Sequence, residues 1–146
     1  MRDKVALICT VRDEADNIAA LLNSMLAQSL CPDEIIINDC QSRDNTAEIV
    51  RAYAALHPRI RLVQGGHNIA AGRNNAIAHT DCAIIACTDA GLVLHRDWLR
   101  HIVSPIERNL ADLVGGFFQP APQDIFELTL GATNYRTAKE IDPDRF

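Results

Sequence analysis

The sequence predicts an α/β fold with three layers (α/β/α) built around a mostly parallel sheet. Short apolar runs typical of buried strands alternate with amphipathic stretches that have helical spacing. The apolar run at 82–87 ends abruptly in the polar turn 88–91, as expected for a strand buried on both faces. No linker or composition shift divides the 146 residues, so a single domain is expected.

The elements are predicted from periodicity and from turn residues, in the order β-α-β-α-β-α-β-α-β with a weaker helix at the end. Strands are predicted at 5–9, 34–37, 60–63, 82–87 and 112–116, and helices at 15–28, 45–57, 69–79, 96–103 and 124–139. Asp44 is a candidate N-cap for the second helix, and Pro105 is expected to kink or end the fourth. Right-handed crossovers would bring the carboxyl ends of the strands to one edge of the sheet.

The bulk composition excludes several classes of protein. At 48% hydrophobic and 23% charged residues the chain has the balance of a globular protein, and its net charge of -5 argues against a general nucleic-acid surface. No apolar run approaches the roughly 20 residues of a membrane span, and a strand begins almost at once, so we expect no signal peptide and a cytoplasmic protein. The five cysteines form no C-x-x-C pair, which argues against a zinc site.

Four polar clusters follow the first four strands, at 10–14, 39–46, 68–75 and 88–91. Any one of them is most simply a turn, but open α/β sheets bind their ligands at the edge where all four would meet. The clusters carry carboxylates and guanidiniums, which suit ribose, phosphate and a divalent cation: Asp39, Asp44, Asp89, Arg12, Arg43 and Arg73. This edge therefore suits a nucleotide diphosphate. The absence of G-x-G-x-x-G, P-loop and G-x-S-x-G motifs weakens dehydrogenase, ATPase and hydrolase interpretations.

The same clusters resemble the motifs of glycosyltransferase family 2, which has the GT-A fold of nucleotide-diphospho-sugar transferases. The resemblance covers about residues 4–118 and suggests the N-terminal, donor-binding portion of such an enzyme. Four blocks match in order: CTVRDE at 9–14, DCQSRDNT at 39–46 against D-x-G-S-x-D-x-T, NIAAGRNNA at 68–76 against N-x-G-x-x-x-A-R-N-x-G, and DAG at 89–91 with DWL at 97–99 against D-x-D and D-W-L.

The resemblance implies a transferase that passes a sugar from a nucleotide-diphospho-sugar to an acceptor hydroxyl, with inversion of the anomeric centre. Thr10 and Asp39 would contact the nucleotide, with Asp39 facing the base, and Arg73 would lie nearby. Asp89 would lie beside the ribose, the diphosphate and a Mg²⁺ or Mn²⁺ ion. The remaining candidates for donor binding come from the same blocks: Arg12, Ser42 and Asp44.

The chain departs from the family pattern at three places. Gly91 replaces the second Asp of D-x-D, which removes one metal ligand; water, substrate oxygens or His95 would have to complete the shell. Gln41 replaces the usual Gly of the second block. Family members continue past the equivalent of Phe146 and carry the catalytic base there, so we expect the base beyond Phe146. The sequence thus predicts one family-2-like domain over 1–146, truncated on its acceptor-binding side.

Two alternatives remain from the sequence. One is a non-catalytic or degenerate nucleotide-sugar-binding module, which Gly91 and the missing base favour. The other is a nucleotidyltransferase, which would carry a glycine-rich, basic first loop that residues 10–14 do not provide. The acceptor is undefined, and a glycan, a lipid-linked acceptor at a membrane or a small molecule would each be compatible. Phe117, Phe118 and Phe126 are expected to cover the end of the sheet, the alternative being an exposed apolar patch.

Overall fold

The computed structural model describes residues 2–117, 119–122 and 124–134. From β1 to α4 the strands and helices alternate as predicted. The strands are β1 Val5–Val11, β2 Glu34–Asp39, β3 Ile60–Gln64 and β4 Ile84–Asp89; the helices are α1 Ile18–Leu26, α2 Thr46–Leu56, α3 Ile69–Ile77, α4 Trp98–Glu107 and α5 Ile125–Asn134. By contact clustering the chain forms two units, Met1–Val114, which contains the sheet, and Gly115–Phe146, which contains α5.

The four strands form one parallel sheet in the order β3-β2-β1-β4, which confirms the predicted α/β class. Strand β1 lies inside the sheet, and its register fixes which residues meet at the carboxyl edge. Thr10 lies opposite Asn38 of β2 and opposite Asp89 of β4, while Val11 lies opposite Asp39. The ends of three neighbouring strands therefore place polar side chains side by side.

Both faces of the sheet are covered, as expected for parallel strands built from continuous apolar runs. On one face, residues of α1, α2 and α4 pack against alternate residues of the strands, with Leu22, Val50 and Leu99 among the fully buried side chains. On the other face Ala76 of α3 packs against Ile8 and neighbouring strand residues. The small residues of α3 let that helix lie close to the sheet, and this closeness shapes the candidate site.

The strand predictions need correction, mostly at their ends. Strands β1 and β2 each continue two residues past their predicted ends and β3 one residue, so Thr10 and Asp39 are strand residues rather than loop residues. Strand β4 begins and ends two residues later than predicted, so Asp89 is the last residue of the strand rather than part of the following turn. The strand predicted at 112–116 is not formed. Its apolar residues gain no core burial, since Leu113 is 89% exposed, and a short apolar run without burial has no driving force to extend.

Pro105 does not end α4, which continues through it to Glu107. A proline inside a helix costs roughly 3 kcal/mol, through a lost backbone hydrogen bond and a steric clash. Burial of Leu99 and Val103 on the sheet-facing side of α4 offsets that cost, because each buried side chain of this size contributes about 1.5–3 kcal/mol. Tertiary packing therefore overrides the predicted helix end, while the predicted alternative, a kink at Pro105, stays a prediction.

The C-terminal unit contains α5, which begins one residue after the predicted start of the last helix, while 135–139 of that prediction lie outside the described residues. Phe117 and Phe126 are 48% and 72% exposed, and Phe118 lies outside the described residues. Among the described residues, no helix has the length and apolar character needed to cross a bilayer.

Candidate functional site

The loops that follow β1 and β2 are joined at the carboxyl edge of the sheet. Four backbone N–H groups of the two loops donate to side chains of the opposite loop: Asp13 N to Ser42 Oγ (2.9 Å), Glu14 N to Thr46 Oγ1 (2.8 Å), Ala15 N to Asp44 Oδ2 (3.0 Å) and Arg43 N to Asp13 Oδ1 (2.6 Å). These bonds use side chains instead of backbone to satisfy the loops' donors. These bonds tie the loop after β1 to the loop after β2, and we call the joined segments 13–15 and 42–46 the rim.

Ser42 and Asp44, two of the predicted donor-binding residues, are part of this rim. Asn45 is the N-cap of α2, so the prediction of Asp44 at that position is wrong by one residue; Asp44 Oδ1 nevertheless accepts from the backbone N–H of Thr46, the first residue of α2, at 3.0 Å. The hydrogen bonds from Thr46 and Ala15 hold the pKa of Asp44 below its ordinary value. Ser42 and Asp44 therefore hold the loops together, and their contact with a sugar-nucleotide donor stays a prediction.

Gln41 occupies a backbone conformation that explains why a glycine would suit its position. Its φ is +61°, in the left-handed region that costs a non-glycine residue roughly 1–2 kcal/mol. We expect Gln41→Gly to raise the free energy of unfolding by about 1 kcal/mol, because glycine removes the strain but adds flexibility to the unfolded chain. Urea denaturation would measure this change. Arg43→Gly, in the same loop at a residue without positive φ, should lower stability slightly; an equal response of both variants would contradict the strain argument.

Asp39 is 1% exposed and is held by side chains from two loops. Its Oδ1 accepts from the backbone N–H of Ser42 at 3.2 Å and from the Ser42 hydroxyl, and its Oδ2 accepts from Gln64 Nε2 at 3.1 Å. A buried carboxylate needs such donors to offset its desolvation. Its free lone pairs remain the groups that could accept from a ligand at this edge.

Helix α3 closes on the same edge through Gly72. A Cβ atom at Gly72 would lie 2.5 Å from Thr10 Cγ2, 2.7 Å from Cys40 Sγ and 2.8 Å from Asn38 Nδ2, so only glycine fits between α3 and the strand ends. Beside it, the amide of Asn38 accepts from Asn75 Nδ2 at 2.7 Å and donates to a backbone carbonyl of the β3–α3 loop. The start of α3 is thereby fixed above β1 and β2.

Arg73 and Asp89 form an ion pair at the centre of this edge. Arg73 follows Gly72 on α3, and Asp89 ends β4 opposite Thr10, so the pair joins the helix to the strand ends. The side chains are 39% and 56% exposed. The neighbouring Cys87 and the hydrogen bond that Arg73 donates to Asp89 raise the pKa of Arg73, so its guanidinium stays charged at any physiological pH.

Two buried polar atoms at this edge have no hydrogen-bond partner among the described residues. They are Arg73 Nε and Thr10 Oγ1. Buried polar groups are paired in nearly all native proteins, and an exception calls for a specific explanation. A ligand that accepts a hydrogen bond from Arg73 and bonds to the Thr10 hydroxyl would satisfy both atoms.

Arg12 brings a second guanidinium to the edge. Its side chain is 54% exposed, and its nearest carboxylate contact is Asp13 Oδ2 at 4.0 Å. Burial and the neighbouring Asp39 raise the pKa of Cys40, while the hydrogen bond from Asn38 and the charge of Arg12 oppose this shift. Because Arg12 directly follows β1, it is an exposed cation at the carboxyl edge of the sheet.

The residues that were predicted to hold a metal do not form a ligand set. Asp89 is paired with Arg73, Gly91 has no ligating side chain, and His95 Nδ1 accepts from the backbone N–H of Asp97 at 3.2 Å. Nowhere in 2–117, 119–122 and 124–134 do three His, Cys, Asp or Glu side chains cluster in a way that would hold a cation. The described side chains do not fit a divalent metal held by the protein alone.

Gln28 was missed by the sequence analysis, although it continues the buried stripe of α1 by one further turn. The side chain is 6% exposed and joins the end of α1 to the segment that leads from β4 into α4. Its Nε2 donates to the His95 carbonyl at 2.9 Å and to the Ser24 carbonyl at 3.0 Å, and its Oε1 accepts from Leu99 N at 2.9 Å. Asn38, a polar residue after three isoleucines, was missed in the same way.

Comparison with known structures agrees with this architecture. The mannosyltransferase PcManGT from Pyrobaculum calidifontis, solved with GDP-Man and Mn²⁺, superposes with a TM-score of 0.63 at 29% identity, over 70% of this chain and 32% of that one. TarS from S. aureus in complex with UDP-GlcNAc superposes with a TM-score of 0.64 at 22% identity, over 84% of this chain and 38% of that one. The chain is thus an α/β protein with the GT-A fold of nucleotide-diphospho-sugar transferases.

The family follows from sequence. The profile described as glycosyl transferase family 2 matches residues 6–144, and the chain belongs to this family. Glycosyltransferase AglE of Haloferax volcanii is 33% identical over 119 residues, which are 77% of this chain and 38% of that protein. The chain therefore spans less than half the length of this relative. The family resemblance and the GT-A fold predicted from the four motif blocks are confirmed.

Proposed function

We propose that this chain forms the donor-binding part of a glycosyltransferase that transfers a sugar from a nucleotide-diphospho-sugar to an acceptor hydroxyl with inversion. The observation that carries the proposal is the family match over 6–144, combined with a carboxyl edge that contains all four motif blocks. The neighbour solved with GDP-Man supports a nucleotide-sugar donor for this fold. The acceptor, whether a glycan, a lipid-linked acceptor or a small molecule, and the catalytic base belong to the same proposal.

Each predicted contact has a chemical reason. The lone pairs of Asp39 would accept from a base N–H, and its burial would make the contact strong because little water competes. Thr10 Oγ1 would bond to the nucleotide, and Arg73 would hold an oxygen of the diphosphate. These residues bind and orient the donor, and the positive charge of Arg73 stabilises the negative charge that develops on the departing nucleoside diphosphate.

Titration calorimetry with UDP, GDP and dTDP tests donor binding directly. We expect one of them to bind at a single site and Asp39→Asn to weaken it roughly tenfold or more, because a hydrogen bond to a charged group is lost. Asp33→Asn is the matched control, since Asp33 lies at the opposite end of the same sheet, accepts from Val5 N, and can do so as an amide. Thermal melts would verify that both variants fold.

Failure of all three nucleotides to bind would overturn the proposal. A non-catalytic nucleotide-sugar-binding module is the second candidate, favoured by the ligand lost at Gly91. The two are separated by release of nucleoside diphosphate on addition of an acceptor: release requires a transferase, and a binding module would hold the donor unchanged. Exchange of pyrophosphate with a nucleoside triphosphate would instead indicate a nucleotidyltransferase.

The divalent metal implied by the family resemblance stays a prediction for this chain. The neighbour from Pyrobaculum calidifontis was solved with Mn²⁺. The described side chains here do not supply a comparable set, because Asp89 is the one carboxylate of the DAG segment at 89–91 and is engaged by Arg73. The binding steps proposed above therefore involve only protein groups.

A further inference from the structure

We propose that Arg73 takes the place of a divalent cation and neutralises the donor diphosphate, so that this site binds its nucleotide without metal. The inference rests on the proposed function and deepens it, since it names what holds the diphosphate. It departs from the metal that the family resemblance implies. Three features of the carboxyl edge carry it: the state of Asp89, the unpaired Nε of Arg73, and the ion pair that holds Arg73 in place.

The carboxylate of Asp89 is already engaged, whereas a metal ligand needs an oxygen that is free to contact the cation. Its Oδ1 accepts a hydrogen bond from the guanidinium of Arg73. A divalent ion on this carboxylate would lie beside a fixed positive charge and would be repelled by it. Gly91 adds no second carboxylate, so nothing at positions 89–91 compensates for that repulsion.

The Nε–H group of Arg73 is a hydrogen-bond donor that an anion could satisfy. Its Nε is buried and has no partner among the described residues, while another nitrogen of the same guanidinium bonds to Asp89. An N–H donor cannot be satisfied by a metal ion, but a phosphate oxygen accepts from it, and the planar fork of arginine matches a phosphate in a bidentate way. Thr10 Oγ1, also unpaired and buried, lies opposite Asp89 in the sheet and offers a hydroxyl to the same ligand.

The charged groups near Arg73 are paired before a donor binds. Arg73 pairs with Asp89, and Arg12, which directly follows β1, lies with its Nε 4.0 Å from Asp13 Oδ2. When a diphosphate binds, Arg73 can bond to it while remaining beside Asp89, because a guanidinium has five N–H donors. The ion pair thereby holds Arg73 in place for the phosphate.

Titrating the best nucleoside diphosphate from the panel in EDTA and in MnCl₂ tests the inference. We expect the two affinities to agree within about threefold, and Arg73→Gln to weaken binding in EDTA by roughly tenfold to a hundredfold, as for loss of a charged hydrogen bond. Arg73→Lys should restore only part of the loss, since an ammonium lacks the fork. Arg51→Gln is the matched control, because Arg51 also forms an ion pair, with Glu48 on α2.

The result also separates this inference from the function on which it rests. Binding that needs Mn²⁺, or that Arg73→Gln leaves unchanged in EDTA, would overturn the inference and keep the donor site. Absence of nucleotide binding in either buffer would overturn both.

A gain-of-function variant supplies a readout that does not depend on activity. A Cβ at Gly91 would meet no atom within 4 Å, and its φ of +74° is one that Asp tolerates better than most residues. We expect the unaltered chain to bind no Mn²⁺ in calorimetry or electron paramagnetic resonance, and the double variant Gly91→Asp with Arg73→Gln to bind it. Specific Mn²⁺ binding by the unaltered chain would contradict the inference.

Discussion

Replacing Gly72 by alanine is expected to destabilise the chain by about 2 kcal/mol and to weaken donor binding, although alanine is the better helix former. Helix propensity alone would add roughly 1 kcal/mol of stability at this position of α3. The new Cβ, however, would lie 2.5 Å from Thr10 Cγ2, 2.7 Å from Cys40 Sγ and 2.8 Å from Asn38 Nδ2. These are short side chains on strand ends that cannot swing aside, so α3 itself must move.

Urea denaturation measures the stability change, and calorimetry with the nucleoside diphosphate measures the site. Because α3 carries Arg73, a displaced helix should alter both quantities. Gly115→Ala is the matched control, since a Cβ there would meet nothing within 4 Å; its effect should stay within about 0.5 kcal/mol. An unfolding midpoint for Gly72→Ala equal to or above that of the unaltered chain would contradict the prediction, because it would show that the side chains at the strand ends can move to make room for the new Cβ.

Removing the Gln28 side chain is expected to cost about 3 kcal/mol, since a buried donor or acceptor left unpaired costs about 1–3 kcal/mol. Gln28→Ala leaves two groups without partners, the carbonyl of Ser24 and the backbone N–H of Leu99, while the carbonyl of His95 keeps the bond from Trp98 N at 2.9 Å. Leu99 is fully buried near the start of α4, where helix N–H groups lack intrahelical acceptors. Gln28 thus caps α4 from the segment that follows α1, and urea denaturation should show the loss.

The pH dependence of the stability of a second variant, Gln28→Glu, tests the same contacts. In Gln28→Glu the carboxylate can accept from Leu99 N but faces two carbonyls, so its folded-state pKa should lie above the value of about 4.3 for an unfolded glutamate. A raised folded-state pKa gives stability at low pH that is lost as the pH rises. Gln28→Glu should therefore approach the unaltered chain in acid and fall behind it at neutral pH. Gln119→Ala, at an exposed glutamine, should change little, and a loss equal to that of Gln28→Ala would contradict the capping role.

Periodicity was sufficient for most of the fold. The strands at β1, β2 and β3 and the helix at α1 were predictable because each is a run of apolar residues with one period, bounded by turn formers. The carboxyl edge was predictable for the same reason, since parallel strands joined by right-handed crossovers must end on one side. The predictions failed where burial decided the outcome: Pro105 is kept inside α4 by packed neighbours, and residues 112–116 remain unpaired because they bury little.

The sequence by itself determined the α/β class, the family and the positions of Thr10, Asp39, Arg73 and Asp89 at one edge, because these follow from local patterns and motif order. Only the tertiary structure decided what those residues do to one another. The Arg73–Asp89 pair, the unpaired Arg73 Nε and the fit of Gly72 against Thr10 depend on how closely α3 approaches the strand ends. That distance results from packing between segments far apart in the chain, and no local pattern contains it.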